Sequence, residues 1–221
     1  MTTRTAKKKV LAHHRQRDSG ETQSTILKAA EQIYAEHGLA GARIDAIAAA
    51  AGVNKALLYY YFRSKEGLYE AVIGSQLREF GRQVERVLTD KGPAGPILLR
   101  YVSDHFDFIG THPYYPRIFQ RLMMEGDRAF MRIVREHSLP LKKMLVALLA
   151  RGMKSGELRC LDPGHAVVSI AGLTGHYFNI APAIRAITGE DPYSKANLAR
   201  RKAEVLSFIR YALFRNPEAV E

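Results

Sequence analysis

The sequence predicts an all-α protein. Apolar residues recur at three-and-four spacing in one segment after another. The breaks between segments are Gly and Pro clusters, not the paired turns of hairpins. No stretch alternates apolar and polar residues as a half-buried strand would.

The first helix is expected from Thr22, with Ile26, Leu27, Ala30, Ile33 and Tyr34 on its apolar side. Asp18 or Ser19 caps its start and Gly38 ends it. A second, short helix covers Ile44 to Ala51, and its alanines allow close approach of another helix. Gly52 breaks it, and Asn54 caps a third helix from Lys55 to Phe62. Ser64 caps a fourth, which extends to about Leu88 with Glu66 near its positive end. Beyond the break at Lys91–Pro96, helices are expected from Ile97 to Gly110 and from Pro116 onward. Pro140 should interrupt the next stretch before Leu141–Met153 resumes. A long apolar helix then runs from Pro163 to about Ile187 with a kink at Pro182, and the last covers Lys195–Phe214.

The chain of 221 residues is 47% hydrophobic, enough for one large domain or two small ones. Apolar runs are too short to span a bilayer, and no signal-peptide stretch opens the sequence. Cys160 is the lone cysteine, which excludes an internal disulfide framework and fits a reducing, cytoplasmic setting. Lys and Arg outnumber Asp and Glu by 33 to 22, a net charge of +11 that suggests a polyanionic partner. Residues 1–20 hold Arg4, Lys7, Lys8, Lys9, Arg15 and Arg17 against Asp18 alone. They are expected to form a flexible basic arm, either solvated or reaching DNA phosphates.

Short helix, glycine turn, short helix is a helix-turn-helix arrangement. On the third helix Leu58 and Phe62 share one face and should pack inward, with Val53 sealing the turn. Ala56 and Tyr60, flanked by Leu57 and Tyr59, face outward, as a major-groove reader requires. Lys55 and Lys65 bracket the helix and suit phosphate. The alternative is a helical hairpin whose aromatics are half-buried at a subunit contact.

The stretch AGVNKALLYYYFRSKEGLYEAVI resembles the signature of the TetR family of bacterial transcriptional regulators, AGVS-x-x-x-LY-x-YF-x-SKE-x-L. Ala51, Gly52, Val53, Leu58, Tyr59, Tyr61, Phe62, Ser64, Lys65, Glu66 and Leu68 match it. The resemblance covers roughly residues 22–73. It departs where Ala42 and Arg43 replace a helix-capping threonine, where Asp45 stands at an often basic position, and where Leu57 replaces a frequent threonine. The resemblance implies a three-helix DNA-binding domain at 21–67 followed by an effector-binding and dimerisation domain at 68–221. The candidate DNA-contacting residues are Arg43, Asn54, Lys55, Ala56, Leu57, Tyr59, Tyr60, Tyr61 and Lys65.

In the second domain His105, Phe106, Ile109, His112, Phe119, Arg121, Met123, His176, Tyr177 and Asn179 either line an apolar effector cavity or serve as core and surface. THPYYPRIF and GHYFNIAP resemble ligand-domain segments of some TetR-type regulators, including pyrimidine sensors. Apolar residues all round the last two long helices, with Gly172 and Gly175, suggest pairing of two copies as a four-helix bundle. The expected function is a ligand-responsive repressor, a homodimer on a palindromic double-stranded DNA operator, released by a small-molecule effector. No membrane partner, cofactor or metal is expected. The alternatives are a metal-sensing regulator on the same fold and an all-α enzyme, although no metal-ligand spacing, nucleophile elbow or phosphate loop is present.

Overall fold

The computed structural model describes the backbone of residues 3–126 and 128–219, and the side chains of residues 19–126, 128 and 130–218. Among these it holds ten α-helices and one isolated β-bridge, Leu158 with Phe214. The fold is all-α, and it divides into compact units at Met1–Ile73 and Gly74–Glu221.

In the first unit, α1 (Thr3–Gly41) buries Ile26, Ala30, Tyr34 and Ala35, a stripe of three-and-four spacing. Ser19 and Gly20 are already helical, so the start expected at Thr22 lies inside the helix. No proline stands there, and one glycine costs a helix only about 1 kcal/mol. Within the expected arm at residues 1–20, the backbone of residues 3–20 is part of α1, and the side chains of residues 1–18 lie outside the described ones. Gly38 leaves helical geometry at φ 68°. Next, α2 (Ile44–Ala51) packs on α1 through Ile44, Ile47, Ala48 and Ala51. Full burial of Ile47 stabilises this contact by about 2 kcal/mol. α3 (Lys55–Phe62) follows, then α4 (Lys65–Leu88), whose residues fall in both units.

The second unit is arranged around α5 (Ala94–Thr111), which packs on α7 (Arg128–Ser155), α8 (Pro163–Asn179) and α10 (Lys195–Leu213). Leu98, Val102, Leu149, Ile170, Val205 and Ile209 meet there. Pro93 at the head of α5 has no capping side chain; Glu157 does that work, accepting from the Ala94 and Gly95 N–H groups at 3.2 and 2.8 Å. Burial opposes charge on Glu157, yet bonds from the Gly95 N–H, the Ser155 hydroxyl and the Ala94 N–H hold its carboxyl below the usual range.

Two sequence expectations fail in this unit. Pro140 lies within α7, which is continuous for 28 residues. The ring removes one backbone hydrogen bond, a loss that a long helix packed along Leu145, Leu148 and Leu149 absorbs. The apolar stretch from Pro163 is two helices, not one: α8 ends at Asn179 and α9 (Ala181–Thr188) departs at 57°, with Pro182 in its first turn. Pro is favoured at a helix start and unfavourable in its interior, so the chain re-initiates there. α6 (Tyr115–Glu125) completes the set. Among the described residues no single helix is long and apolar enough to cross a membrane, although α8 and α9 together reach that length across their bend.

Candidate functional site

The turn between α2 and α3 is fixed by backbone chemistry. Gly52 takes the left-handed conformation (φ 65°, ψ 31°), for which glycine carries no Cβ penalty. Its N–H donates to Ala49 O at 3.1 Å and that of Val53 to Ala48 O at 3.0 Å, satisfying carbonyls at the end of α2. Two residues later the Asn54 carboxamide accepts from Ala56 N–H at 2.8 Å and starts α3. Three residues, Gly52 to Asn54, thus separate α2 from α3.

α3 then has one phase open to it. Leu58 is 2% exposed and anchors the helix, with Phe62 half-buried four residues on. That turns Ala56, Tyr59 and Tyr60 outward as an i, i+3, i+4 stripe, Tyr59 being 44% and Tyr60 68% exposed, with Arg63 exposed just past the end of the helix. Leu57 and Tyr61 flank the stripe, half-buried, and the Tyr61 ring meets Tyr60 edge-on at 5.1 Å. Arg43 is exposed in extended conformation ahead of α2 and gives the helix no side-chain cap.

Three features here were not visible in the sequence. Arg63 has φ 68° and ψ −44°, and Ser64 N–H bonds Phe62 O across it at 2.8 Å, a tight γ-type turn that passes the chain from α3 to α4. The Ser64 hydroxyl then accepts from Gly67 N–H at 3.0 Å, the cap on α4 that the sequence predicts. Second, the Lys65 ammonium donates to Ala40 O and Ala42 O at 3.2 and 3.4 Å. Its backbone carbonyl accepts from the Tyr34 hydroxyl at 2.8 Å. Lys65 therefore braces the end of α1. Tyr34 itself is buried edge-on to Tyr69 at 4.8 Å, and that burial, with Glu66 and Tyr69 nearby, pushes its phenol above the usual range. Third, Lys55 Nζ lies 2.8 Å from the Asp45 carboxylate. Each holds the other in its charged form: hydrogen bonding and attraction lower the Asp45 carboxyl and raise the Lys55 ammonium.

In the second unit, the sequence-nominated residues separate into groups. His105 is buried between Phe80 and Tyr101, ring centroids 4.9 and 5.7 Å away, and its Nδ1 lies 3.0 Å from the Thr174 hydroxyl. That hydroxyl donates to Ile170 O, so it accepts from Nδ1–H. Burial pushes the His105 imidazole down to about 4, and it is neutral near pH 7. His112 stacks on Phe108 at 4.1 Å, donates through Nδ1 to Phe108 O at 2.7 Å, and places Nε2 3.4 Å from Glu79. Tyr115 links Phe108 to Phe119, and burial lifts its phenol to about 12. Phe106 and Ile109 are buried, and Phe106 packs with Tyr177 and Phe178. The Tyr177 hydroxyl donates to Pro192 O at 2.9 Å. Arg121 is half-buried and Met123 exposed on α6. His176 and Asn179 are exposed on α8 and do not join the aromatic cluster. Sequence reasoning missed Phe80, Tyr101, Phe108, Tyr115 and Thr174; the aromatic content of α5 was the available signal.

Among the described residues no group of three or more His, Cys, Asp or Glu is placed to hold a metal ion, and Cys160 is exposed and free.

Residues 26–72 match the family model described as bacterial regulatory proteins, tetR family, and residues 74–215 match that of the YcdC-like protein C-terminal region. The HTH-type transcriptional regulator RutR of Escherichia coli is 33% identical over 175 residues, covering 79% of this chain and 82% of that protein. The HTH-type transcriptional repressor NicS of Pseudomonas putida is 26% identical over 201 residues, 88% of this chain and 92% of that protein. The crystal structure of the transcriptional regulator FadR of Bacillus subtilis, in complex with stearoyl-CoA, superposes with a TM-score of 0.68 at 22% identity. It covers 84% of this chain and 96% of that one.

Proposed function

The chain belongs to the TetR family of transcriptional regulators, and we propose that it is a ligand-responsive repressor, a homodimer that holds a palindromic operator and lets go when a small molecule binds. The observation that carries the DNA half is the α3 stripe of Ala56, Tyr59 and Tyr60, exposed on a helix whose opposite side is anchored by Leu58, with Arg63 exposed at its C-cap. A helix presenting small and aromatic groups fits a major groove, where a tyrosine ring meets a thymine methyl and its hydroxyl reaches a phosphate. Arg43 and Lys55 stand beside this stripe as phosphate ligands, and Asn54, Leu57 and Tyr61 flank it. Lys65 contributes by fixing the frame. Such a protein works in the cytoplasm beside its DNA.

Repression follows the naming of NicS, and binding of a small effector is supported by the stearoyl-CoA in complex with FadR. In this chain residues 68–221 would hold the effector among the α5 and α6 aromatics, where neutral His105 and the Tyr115 phenol favour an uncharged or weakly polar ligand face. Reversing operator occupancy from 99:1 to 1:99 takes about 5.5 kcal/mol of differential affinity, which two effectors on a dimer share. Pairing is supported by the outer side of α8 and α10. Val168, Phe208 and Tyr211 are 63%, 60% and 53% exposed, and a Cβ on Gly172 or Gly175 would meet nothing within 4 Å.

Fluorescence anisotropy with a duplex from upstream of the chain's own coding sequence, against a random duplex, tests the reading. Tyr60→Ala should cost about 1–3 kcal/mol on the preferred duplex and much less on the random one. Equal loss on both would demote Tyr60 to scaffold. Phe208→Arg should leave a monomer in sedimentation; a dimer of unchanged affinity would remove α10 from the interface.

A further inference from the structure

The 2.8 Å ion pair between Asp45 and Lys55 joins the first turn of α2 to the first residue of α3. Both side chains are exposed, and an exposed ion pair contributes little to folding, because water screens the attraction and two long side chains lose freedom in making it. Neither helix depends on it for position. α2 is held by Ile44, Ile47, Ala48 and Ala51, α3 by Leu58, and the turn by Gly52 and the Asn54 cap. What the pair alters is the charge offered by the reading face. Lys55 adjoins Ala56 at the head of the outward stripe, where a free ammonium would meet phosphate. With the carboxylate at hydrogen-bond distance, a phosphate reaching Lys55 must displace Asp45 and tolerate its negative charge nearby.

We propose that Asp45 is an affinity-setting residue of the DNA interface, whose carboxylate competes with duplex phosphate for Lys55 and so weakens the sequence-independent part of binding. The consequence is a regulator held below its full electrostatic grip, which an effector can then dislodge more easily. This inference rests on the DNA-binding reading of the same face.

The test is anisotropy with the upstream duplex and a random duplex across 50–200 mM salt, using the full chain, Asp45→Asn, Asp45→Glu, Lys55→Gln and the Asp45→Asn/Lys55→Gln double variant. A phosphate contact steepens the slope of log K against log salt by about 0.9, which at 50 mM salt corresponds to roughly tenfold tighter binding per subunit. Asp45→Asn should show that steeper slope and tighten both duplexes in the same proportion. Asp45→Glu should behave like the parent chain. In the Lys55→Gln background Asp45→Asn should gain little, because no lysine is freed. A urea titration without DNA checks that each variant is folded, and Asp45→Ala serves in place of Asp45→Asn if that variant is not. Three results would overturn the inference while leaving the regulator standing: an unchanged slope, weaker binding by Asp45→Asn, or a gain that persists undiminished without Lys55. If the parent chain and Asp45→Asn both ignore every duplex, the DNA-binding reading falls and this inference with it.

Discussion

Replacing Arg63 isolates the strain that the reading head stores at its turn into α4. A φ of 68° in a residue with a Cβ, closed by the 2.8 Å bond from Ser64 N–H to Phe62 O, is a conformation that costs about 1–3 kcal/mol. Glycine takes the same φ without that penalty but loses about 0.5–1 kcal/mol of additional chain entropy on folding. Arg63→Gly should therefore be more stable than Arg63→Ala by about 1 kcal/mol, the mid-range difference of those two effects. Alanine is the proper reference because both variants delete the guanidinium and only one deletes the Cβ. Urea unfolding of the full chain is followed through its 11 tyrosines, five of which lie between residues 34 and 69. With a denaturant slope of about 1–3 kcal/mol/M, the two midpoints should separate by about 0.3–1 M. Hydrogen exchange at α3 and α4 amides reports the same difference locally. If the glycine variant proves equal to the alanine variant, or weaker, the left-handed backbone at residue 63 is not native. Because Arg63 is also exposed at the end of α3 beside the outward stripe, both variants should lose duplex affinity alike, so binding and stability part company here.

Three further outcomes follow from local geometry. Lys65→Ala removes two hydrogen bonds from a charged donor to the Ala40 and Ala42 carbonyls and should lower stability without DNA by about 1–2 kcal/mol; an unchanged urea midpoint together with weaker duplex binding would return Lys65 to a phosphate role. His105 is held neutral in the fold, down to about 4 from an ordinary 6.5, so the unfolded chain binds more protons between those values. Stability should be fully present above pH 6.5 and fall by up to about 3 kcal/mol as pH drops toward 4, and His105→Gln should flatten that limb in thermal melts at pH 7 and pH 5. Glu157→Gln weakens the cap on α5 and should cost about 1 kcal/mol at pH 7. Its carboxyl is held below the usual range, so the deficit should shrink as acid protonates the parent's Glu157; a deficit constant down to pH 3 would assign the loss to packing.

The reading head was legible because its signals are local. Gly52 and Asn54 are separated by one residue, each with a conformation or capping role that few other residues fill, and the expected bounds of α2 and α3 coincide with those observed. Arg63 gave no such signal: its turn is one glycine would mark, and arginine occupies it. The Lys65 brace joins residues 23 and 25 positions apart, and the Asp45–Lys55 pair joins two helices across a turn. Side-chain pairing at those distances depends on crossing angles that no spacing rule supplies. Pro140 misled for the opposite reason, since a strong local breaker was overruled by the packing of the helix around it.

The phase of α8 is where sequence had least purchase, and it decides which residues face the core of the second unit and which face outward. A helix apolar on nearly every side has no stripe from which to read its rotation. The structure supplies the phase through one polar contact: Thr174 is buried against His105, which sets Ile170, Thr174 and Phe178 inward at four-residue spacing. Val168, Gly172 and His176 then follow outward at the same spacing. His176 and Asn179 are exposed on the side of α8 proposed for pairing, beside an open glycine surface. An apolar face that the second unit's own core does not use calls for a second covering surface, and helix approach at Gly172 and Gly175 is sterically open to one. Changing Thr174 to valine would remove the hydroxyl that positions His105 while leaving that outer face untouched. On the proposed assignment Thr174→Val should alter ligand response and leave dimer affinity unchanged, and a loss of both together would refute the division of α8 into two faces.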